Sequence, residues 1–349
     1  MPRLDNLLKY AAANKASDLH IAAGTVPLMR VHGQLLPLKM NALTPKDTMG
    51  LIAEFLNAEQ KDAFSKNPDL DFCYDVPGTG RFRANVLKQR KGVDAVFRVI
   101  QPKIPTLEEL GFPQVVRDLT NHHQGMVLVT GPSGCGKSTT LASMIDHINS
   151  NRKVHIITVE DPIEYVHSIK RANVTQREVK RHTETFASAL RASLREDPDV
   201  ILVGEMRDLE TIQMAITAAE TGHLVLGTLH TRTAAKTVDR IIDAFPPEQQ
   251  NQIRIMVSES LRGVVSQQLL RRADGQGRVL SYEILIGSLA IGNLIREGKT
   301  FQIPSLMQIG VKEGMLLMDQ SLARLVQAKV ITYDEALARA ENRKLIPKA

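Results

Sequence analysis

With 349 residues, 43% of them hydrophobic and 23% charged, the chain is long enough for two or three cores, and no apolar run approaches the roughly 18 residues of a membrane span. A net charge of +6, carried by scattered Lys and Arg, reads as a solvated basic surface, and the lack of Trp with only 4% aromatics leaves little material for stacking nucleic-acid bases. Two cysteines, Cys73 and Cys135, exclude a disulfide framework and a four-thiolate zinc site and fit a reducing cytoplasm, and the opening MPRLDNLLKYAAANKASDLH lacks the apolar core and cleavage site of a signal peptide.

Residues 1–100 mix short strands with helical segments and are expected to form an α+β domain. In PLMRVHGQLLPL a Gly-Gln step between apolar flanks predicts a hairpin. LTPKDTMGLIAEFLN opens with Thr44 as N-cap and Pro45 at the first helical position, which predicts a helix. RFRANVLKQ and DAVFRVI, on either side of RKGV, predict a second hairpin. QPKIPTLEELGFPQ, residues 101–114, holds three prolines and is expected to be a linker. The remainder, 115–349, reads as a second domain. GMVLVT, HIITVE, VILVGE and LVLGTLH are apolar strands separated by helical stretches, which predicts an α/β domain with a parallel sheet covered on both faces. Beyond about residue 245 the chain reads as mostly helical, with one strand pair at VVSQQLL and RVLSYEIL.

The most specific stretch is GMVLVTGPSGCGKSTTLASMIDHI. Its glycines with Lys137 and Ser138 fit G-x-x-x-x-G-K-[ST], after a predicted strand and at the start of a predicted helix, the context that motif requires. Such glycines turn successive backbone N–H groups toward an anion, and the helix N-terminus adds its partial positive charge. Gly131, Ser133, Gly134, Cys135, Gly136, Lys137, Ser138 and Thr139 are therefore expected to hold the phosphates of ATP, with Lys137 at the β/γ-phosphates and Ser138 on Mg²⁺. Cys135 is read as a small residue of the loop; a thiol activated by the helix N-terminus is the alternative.

A phosphate cradle also needs carboxylates. DPDVILVGEMRD is an apolar strand ending in Gly204-Glu205, with glycine where most P-loop enzymes place Asp. HIITVEDPIEY ends in Glu160, Asp161 and Glu164. Two acidic clusters are thus expected at the carboxyl edge of the sheet, where ligands of open α/β sheets bind. One can serve the metal and the other can polarise the attacking water.

Taken together, GPSGCGKSTTLASM, VEDPIEYVH, LRASLREDPDVILVGEMRDLET and AAETGHLVLGTLHT resemble the secretion ATPase superfamily, and within it the type IV pilus retraction branch. The resemblance runs from ASDLHI to NLIREGKT, nearly the whole chain. It implies a homohexamer of a PAS-like N-terminal domain and a RecA-like ATPase domain, with ATP and Mg²⁺ as ligands and no nucleic acid. It also implies a cytoplasmic protein peripherally associated with the inner membrane, with the pilus platform protein there as its partner. Glu164 would be the catalytic base, Glu205 would act on Mg²⁺ through water, and His230 would sense the γ-phosphate. Arginines of the N-terminal domain would complete a neighbouring subunit's site.

Spacing selects those arginines. Arg83 and Arg98 stand opposite each other if the second hairpin turns at Arg90-Lys91, and diagonal on one face if it turns at Lys91-Gly92. Like charges paired across strands are unfavourable unless an anion lies between them, and a triphosphate supplies one to guanidinium forks. The two histidines of ETGHLVLGTLHT separate in the same way. His223 begins the strand and His230 leaves its carboxyl end, roughly 23 Å away at 3.3 Å per residue, so only His230 reaches the nucleotide edge. His223 is expected to be structural or to lie at a subunit interface.

Assembly and type II secretion relatives carry a tetracysteine zinc motif and an extra N-terminal domain. Neither is expected here, since ASDLHI occupies residues 16–21. The retraction branch's C-terminal motif A-I-R-N-L-I-R-E reads AIGNLIRE in this chain, with Gly292 in place of arginine and Asn293, Arg296 and Glu297 kept. The expected function is an ATP-driven pilus retraction motor, with an accessory retraction paralogue or an assembly ATPase as alternatives. A nucleic-acid translocase lacks the aromatics it needs, and a non-hydrolysing adaptor is at odds with intact Lys137, Ser138, Glu164 and Glu205.

Overall fold

The structure, a computed structural model, describes residues 3–31, 33–100 and 103–348. They form two compact units that divide between Lys103 and Ile104. In the first, α1 (Arg3–Ala13) leads into β1 (Asp18–Ile21), β2 (Leu28–Val31) and β3 (Gln34–Pro37). Then follow α2 (Pro45–Phe55), α3 (Ala58–Lys66), β4 (Asp69–Val76), β5 (Gly80–Gln89) and β6 (Gly92–Ile100). The hairpin expected around Gly33 pairs β2 with β3; His32 of its turn lies outside the described residues. Thr44 caps α2, its hydroxyl accepting from the Asp47 N–H while the Asp47 carboxylate accepts from the Thr44 N–H.

The six strands are antiparallel in the order β3-β2-β1-β6-β5-β4. Period-two alternation buries Phe82, Ala84 and Val86 of β5 and Val93, Ala95 and Phe97 of β6 against Leu4 and Leu8 of α1 and Ile52 and Phe55 of α2. The same alternation puts Arg83 and Arg98 on the other face. Gln89 pairs with Gly92, so the hairpin turns at Arg90-Lys91, and Arg83 stands directly opposite Arg98.

The second unit begins with α4 (Gln114–Asp118), β7 (Gly125–Thr130), α5 (Lys137–Asn151), β8 (His155–Glu160), β9 (Asn173–Glu178) and α6 (Phe186–Ser193). It continues through β10 (Val200–Val203), α7 (Leu209–Glu220), β11 (Leu224–Leu229), α8 (Ala234–Ile242), α9 (Pro247–Ser260), β12 (Leu261–Arg271) and β13 (Arg278–Ile286). Helices α10 (Leu289–Arg296), α11 (Ile303–Ile309), α12 (Met318–Gln327) and α13 (Tyr333–Leu337) end it. The sheet order is β13-β12-β7-β11-β10-β8-β9, parallel throughout except for the β12–β13 hairpin. Both faces are covered, and β7 shows how. Met126 and Leu128 pack with Ile212 and Ile216 of α7 and Val257 of α9, while Val127 and Val129 pack with Leu141, Met144 and Ile148 of α5. The continuous apolar runs of these strands therefore reflect burial on both faces.

Two sequence expectations change. The stretch 104–114 is not a free linker: Leu107 and Phe112 are buried in the same cluster as Val127 and Met144. Prolines mark breaks in regular structure, but the apolar side chains between them still find a core. Gln101 and Pro102 of the expected linker lie outside the described residues. Strand β9, NVTQRE, was missed because it carries no apolar face; as an edge strand it is held by its parallel ladder to β8, from His155↔Asn173 to Glu160↔Glu178.

Candidate nucleotide site

Strand β7 delivers the chain to Gly131 at the carboxyl edge of the parallel sheet. Gly131, Gly134 and Gly136 have φ of 143°, 75° and 94°, a region that disfavours residues with a Cβ. A Cβ on Gly131 would lie 2.3 Å from the Gln267 carbonyl oxygen and 2.7 Å from Cys135 Sγ, whereas one on Gly134 would meet nothing within 4 Å. The loop is thus pressed against β12 at its start and open at its crest. Helix α5 begins at Lys137 without a side-chain cap, so its first N–H groups and its positive end are left for an anion. Ser133 and Ser138 are exposed and Thr139 is half-buried.

Lys137 Nζ donates to the carbonyls of Gly131 at 2.9 Å and Pro132 at 3.2 Å, a folded-back position from which it can exchange to phosphate oxygens. Burial lowers its pKa, and the charges of Glu205 and Glu164 work in the opposite direction, so both carboxylates act on this one ammonium. Successive N–H groups, an ammonium, hydroxyls and two carboxylates form a donor set that fits a nucleoside triphosphate with Mg²⁺. Among the described residues no three His, Cys, Asp or Glu side chains form a metal cage. Mg²⁺ at a P-loop needs none, because a hydroxyl, phosphate oxygens and water fill its octahedron.

Sequence reasoning missed the brace under this loop. Gln267 is 1% exposed in the middle of β12. Its amide donates to the Cys135 carbonyl at 2.8 Å and accepts from Thr140 Oγ1 at 2.9 Å, and beside it Ser266 and Thr130 join hydroxyls at 2.8 Å. A buried amide must be satisfied, and here the loop satisfies it. The polar pair Ser266-Gln267 inside an apolar strand was the available signal. Cys135 itself is 3% exposed, and burial raises its thiol pKa despite Lys137 nearby. The alternative of an activated thiol is thereby overturned, since desolvation of the thiolate outweighs the helix end.

The acidic residues divide by task. Glu160 ends β8, and its Oε1 accepts from Thr158 Oγ1 at 2.7 Å and Gln176 Nε2 at 3.2 Å. Asp161 pairs with Lys180 at 3.1 Å. Glu164, half-buried, is the member of this cluster whose charge is felt at Lys137. Across the sheet, Glu205 Oε1 lies 2.8 Å from His230 Nε2 and also contacts Arg207. Burial pushes the Glu205 pKa up, but the hydrogen bonds and charges of Arg207 and His230 outweigh it and hold the carboxyl below its ordinary range. The neighbouring strands β10 and β11 bring Glu205 and His230 together. Arg207 carried no spacing signal in GEMRD.

Gly204 has a packing reason. A Cβ there would sit 3.0 Å from the Val159 carbonyl oxygen and 3.2 Å from Glu160 Cα, both backbone of β8. His223 Nδ1 lies 3.0 Å from the Ala218 carbonyl oxygen at the end of α7. Gly292 lets α10 touch α9, since a Cβ would lie 2.9 Å from the Ser258 carbonyl oxygen, while Arg296 reaches Asn293 Oδ1 at 3.1 Å and Ser258 Oγ at 3.3 Å.

The arginine argument needs one correction. Arg83 and Arg98 are tolerated side by side because each has an aspartate, Arg83 with Asp71 at 2.7 Å and Arg98 with Asp18 at 3.1 Å. Those carboxylates come from the flanking strands β4 and β1, which an argument confined to the hairpin does not include. An intervening anion is not required to explain the pairing.

The open crest of a glycine loop, an uncapped helix start and carboxylates at one edge of a parallel sheet define a P-loop nucleotide-binding domain of RecA-like architecture, preceded by a separate N-terminal domain. The model of the family described as "Type II/IV secretion system protein" matches residues 1–336, and the chain belongs to that family. It is 49% identical over 338 residues to the "Type IV pilus retractation ATPase PilT" of Pseudomonas aeruginosa, with 97% of this chain and 98% of that protein covered. A "Twitching motility protein" of Neisseria gonorrhoeae is 48% identical over 337 residues, with 97% and 90% covered. Among solved structures, one described as the pilus retraction motor PilT with bound ADP superposes with a TM-score of 0.89 at 49% identity over 98% of each chain.

Proposed function

We propose that this chain is the ATP-hydrolysing motor of type IV pilus retraction, working as a homohexamer at the cytoplasmic face of the inner membrane against a platform protein. The observation that carries this is near-full-length identity of 49% to a protein named for that activity, on a chain that keeps Lys137, Ser138, Glu164 and Glu205. No helix among the described residues is long and apolar enough to cross a membrane, and attachment through a partner accords with that.

In this reading the N–H groups of residues 133–137 and the Lys137 ammonium take the phosphate charge. The Ser138 hydroxyl, and Glu205 through water, would hold Mg²⁺, which would supply further positive charge to the phosphates. Glu164 removes the proton from the attacking water. His230 and Arg207 keep Glu205 ionised and oriented, so that movement of His230 toward a γ-phosphate is felt at Glu205. Arg83 and Arg98 leave Asp71 and Asp18 to complete a neighbouring subunit's site, where they offset the charge of the transferring phosphoryl group.

Deletion of the gene in its host, with complementation by wild type and by Glu164→Gln, tests the reading. Retraction predicts hyperpiliated cells without twitching, restored by wild type and not by the variant, whose purified form binds ATP without turnover. Bald cells on deletion would assign the chain to assembly instead.

A further inference from the structure

A side-chain contact outside the roles described so far joins the phosphate loop to the loop that carries Glu164. Tyr165, the residue after Glu164, is 9% exposed, and its hydroxyl lies 3.0 Å from that of Thr139 on the first turn of α5. On the other side the loop is held by β9. Gln176 donates to the Tyr165 carbonyl at 2.9 Å and accepts from the His167 N–H at 2.8 Å, and the Glu178 carboxylate accepts from the Ile163 N–H at 3.0 Å. The Glu164 backbone is therefore tied to the sheet edge from one side and, through its neighbour's phenol, to the phosphate loop from the other.

In the Tyr165–Thr139 pair either oxygen can donate. A phosphate oxygen can only accept. Once Thr139 gives its proton to one, its oxygen has only acceptor capacity left for Tyr165, so the phenol must donate and the pair has a single direction. We infer that Tyr165 is a positioning residue that reads phosphate occupancy at Thr139 and fixes the Glu164 loop in response. Burial raises the phenol pKa, with the Glu164 charge adding to it and the Thr139 bond opposing, so the proton needed for donation stays in place at neutral pH. The inference rests on the nucleotide reading of the P-loop.

Hydrogen exchange of the full-length protein with and without ADP separates the two. In wild type, ADP should protect amides of 131–139 and also of 163–167. In Tyr165→Phe, protection of 131–139 should persist while that of 163–167 falls to the level without nucleotide. Its kcat should drop about tenfold with KM within about threefold, the scale of one lost hydrogen bond. Thr139→Val, which removes the other partner, should lose the same protection at 163–167, and Thr139→Ser should keep it. Equal ADP protection of 163–167 in wild type and Tyr165→Phe would overturn the inference. Absence of protection at 131–139 in wild type would instead overturn the nucleotide reading, and the inference with it.

Discussion

Glu283 is a buried carboxylate at which two helices start, and its ionisation makes a measurable prediction. It lies on β13, 4% exposed, with Oε1 accepting from the Ala234 N–H at 2.7 Å and Oε2 from the Met318 N–H at 3.2 Å. Those are the first N–H groups of α8 and α12, which lack intrahelical partners. Burial pushes the carboxyl up, the two N–H donors pull it down, and the charges of Glu341 and Asp319 push it up again, leaving it raised from 4.5 to about 7. A carboxyl whose folded pKa is raised binds its proton more tightly in the folded chain. No penalty exists below the unfolded value near 4.5. Stability is lost as pH climbs from there, and the loss is complete above about 7. At about 1.4 kcal/mol per pH unit the interval corresponds to about 3 kcal/mol. Glu283→Gln removes the ionisation and also leaves one of the two N–H donors facing an amide, a cost of about 1–3 kcal/mol at every pH. Urea unfolding of both proteins at pH 4.5, 6 and 7.5, without nucleotide and at one protein concentration, reads the difference. The variant should be the weaker at pH 4.5 and should gain about 3 kcal/mol relative to wild type by pH 7.5. A difference independent of pH would mean that Glu283 is ionised throughout, with the two helix ends outweighing burial, and the reasoning would fail.

Two further outcomes are expected. Gly204→Asp would install the carboxylate usual in P-loop enzymes where a Cβ crowds the Val159 and Glu160 backbone of β8; it should lower stability by about 1–3 kcal/mol in urea unfolding, and an unchanged midpoint would show that β8 and β10 can part freely. Arg83→Ala and Arg98→Ala should each cut kcat steeply, by up to about 10³-fold or more, as arginines acting in trans do, while mixing either with Lys137→Ala protein restores turnover. Exchange of subunits without any gain in turnover would show that these arginines do not act across an interface.

The sequence by itself determined the features that depend on local chain chemistry. The P-loop was legible because glycine spacing, strand context and Lys137-Ser138 are one contiguous code, and its three left-handed glycines are backbone requirements written in residue identity. The four central strands were legible because burial on both faces demands an unbroken apolar run. That Arg83 and Arg98 share one face was legible because hairpin register is arithmetic on residue numbers, while the structure chose the Arg90-Lys91 turn that sets them directly opposite. What required the tertiary structure were relations between distant segments. Gln267 lies 132 residues from the Cys135 carbonyl it holds, and Glu283 lies 49 from Ala234 and 35 from Met318. The aspartates that neutralise Arg83 and Arg98 arrive on other strands, and the alternative of a Cys135 activated by the helix end fails on desolvation. Hydrogen bonds, burial and charge act through space, so partners far apart in the chain are chosen by strand order and packing, and no window of sequence contains them.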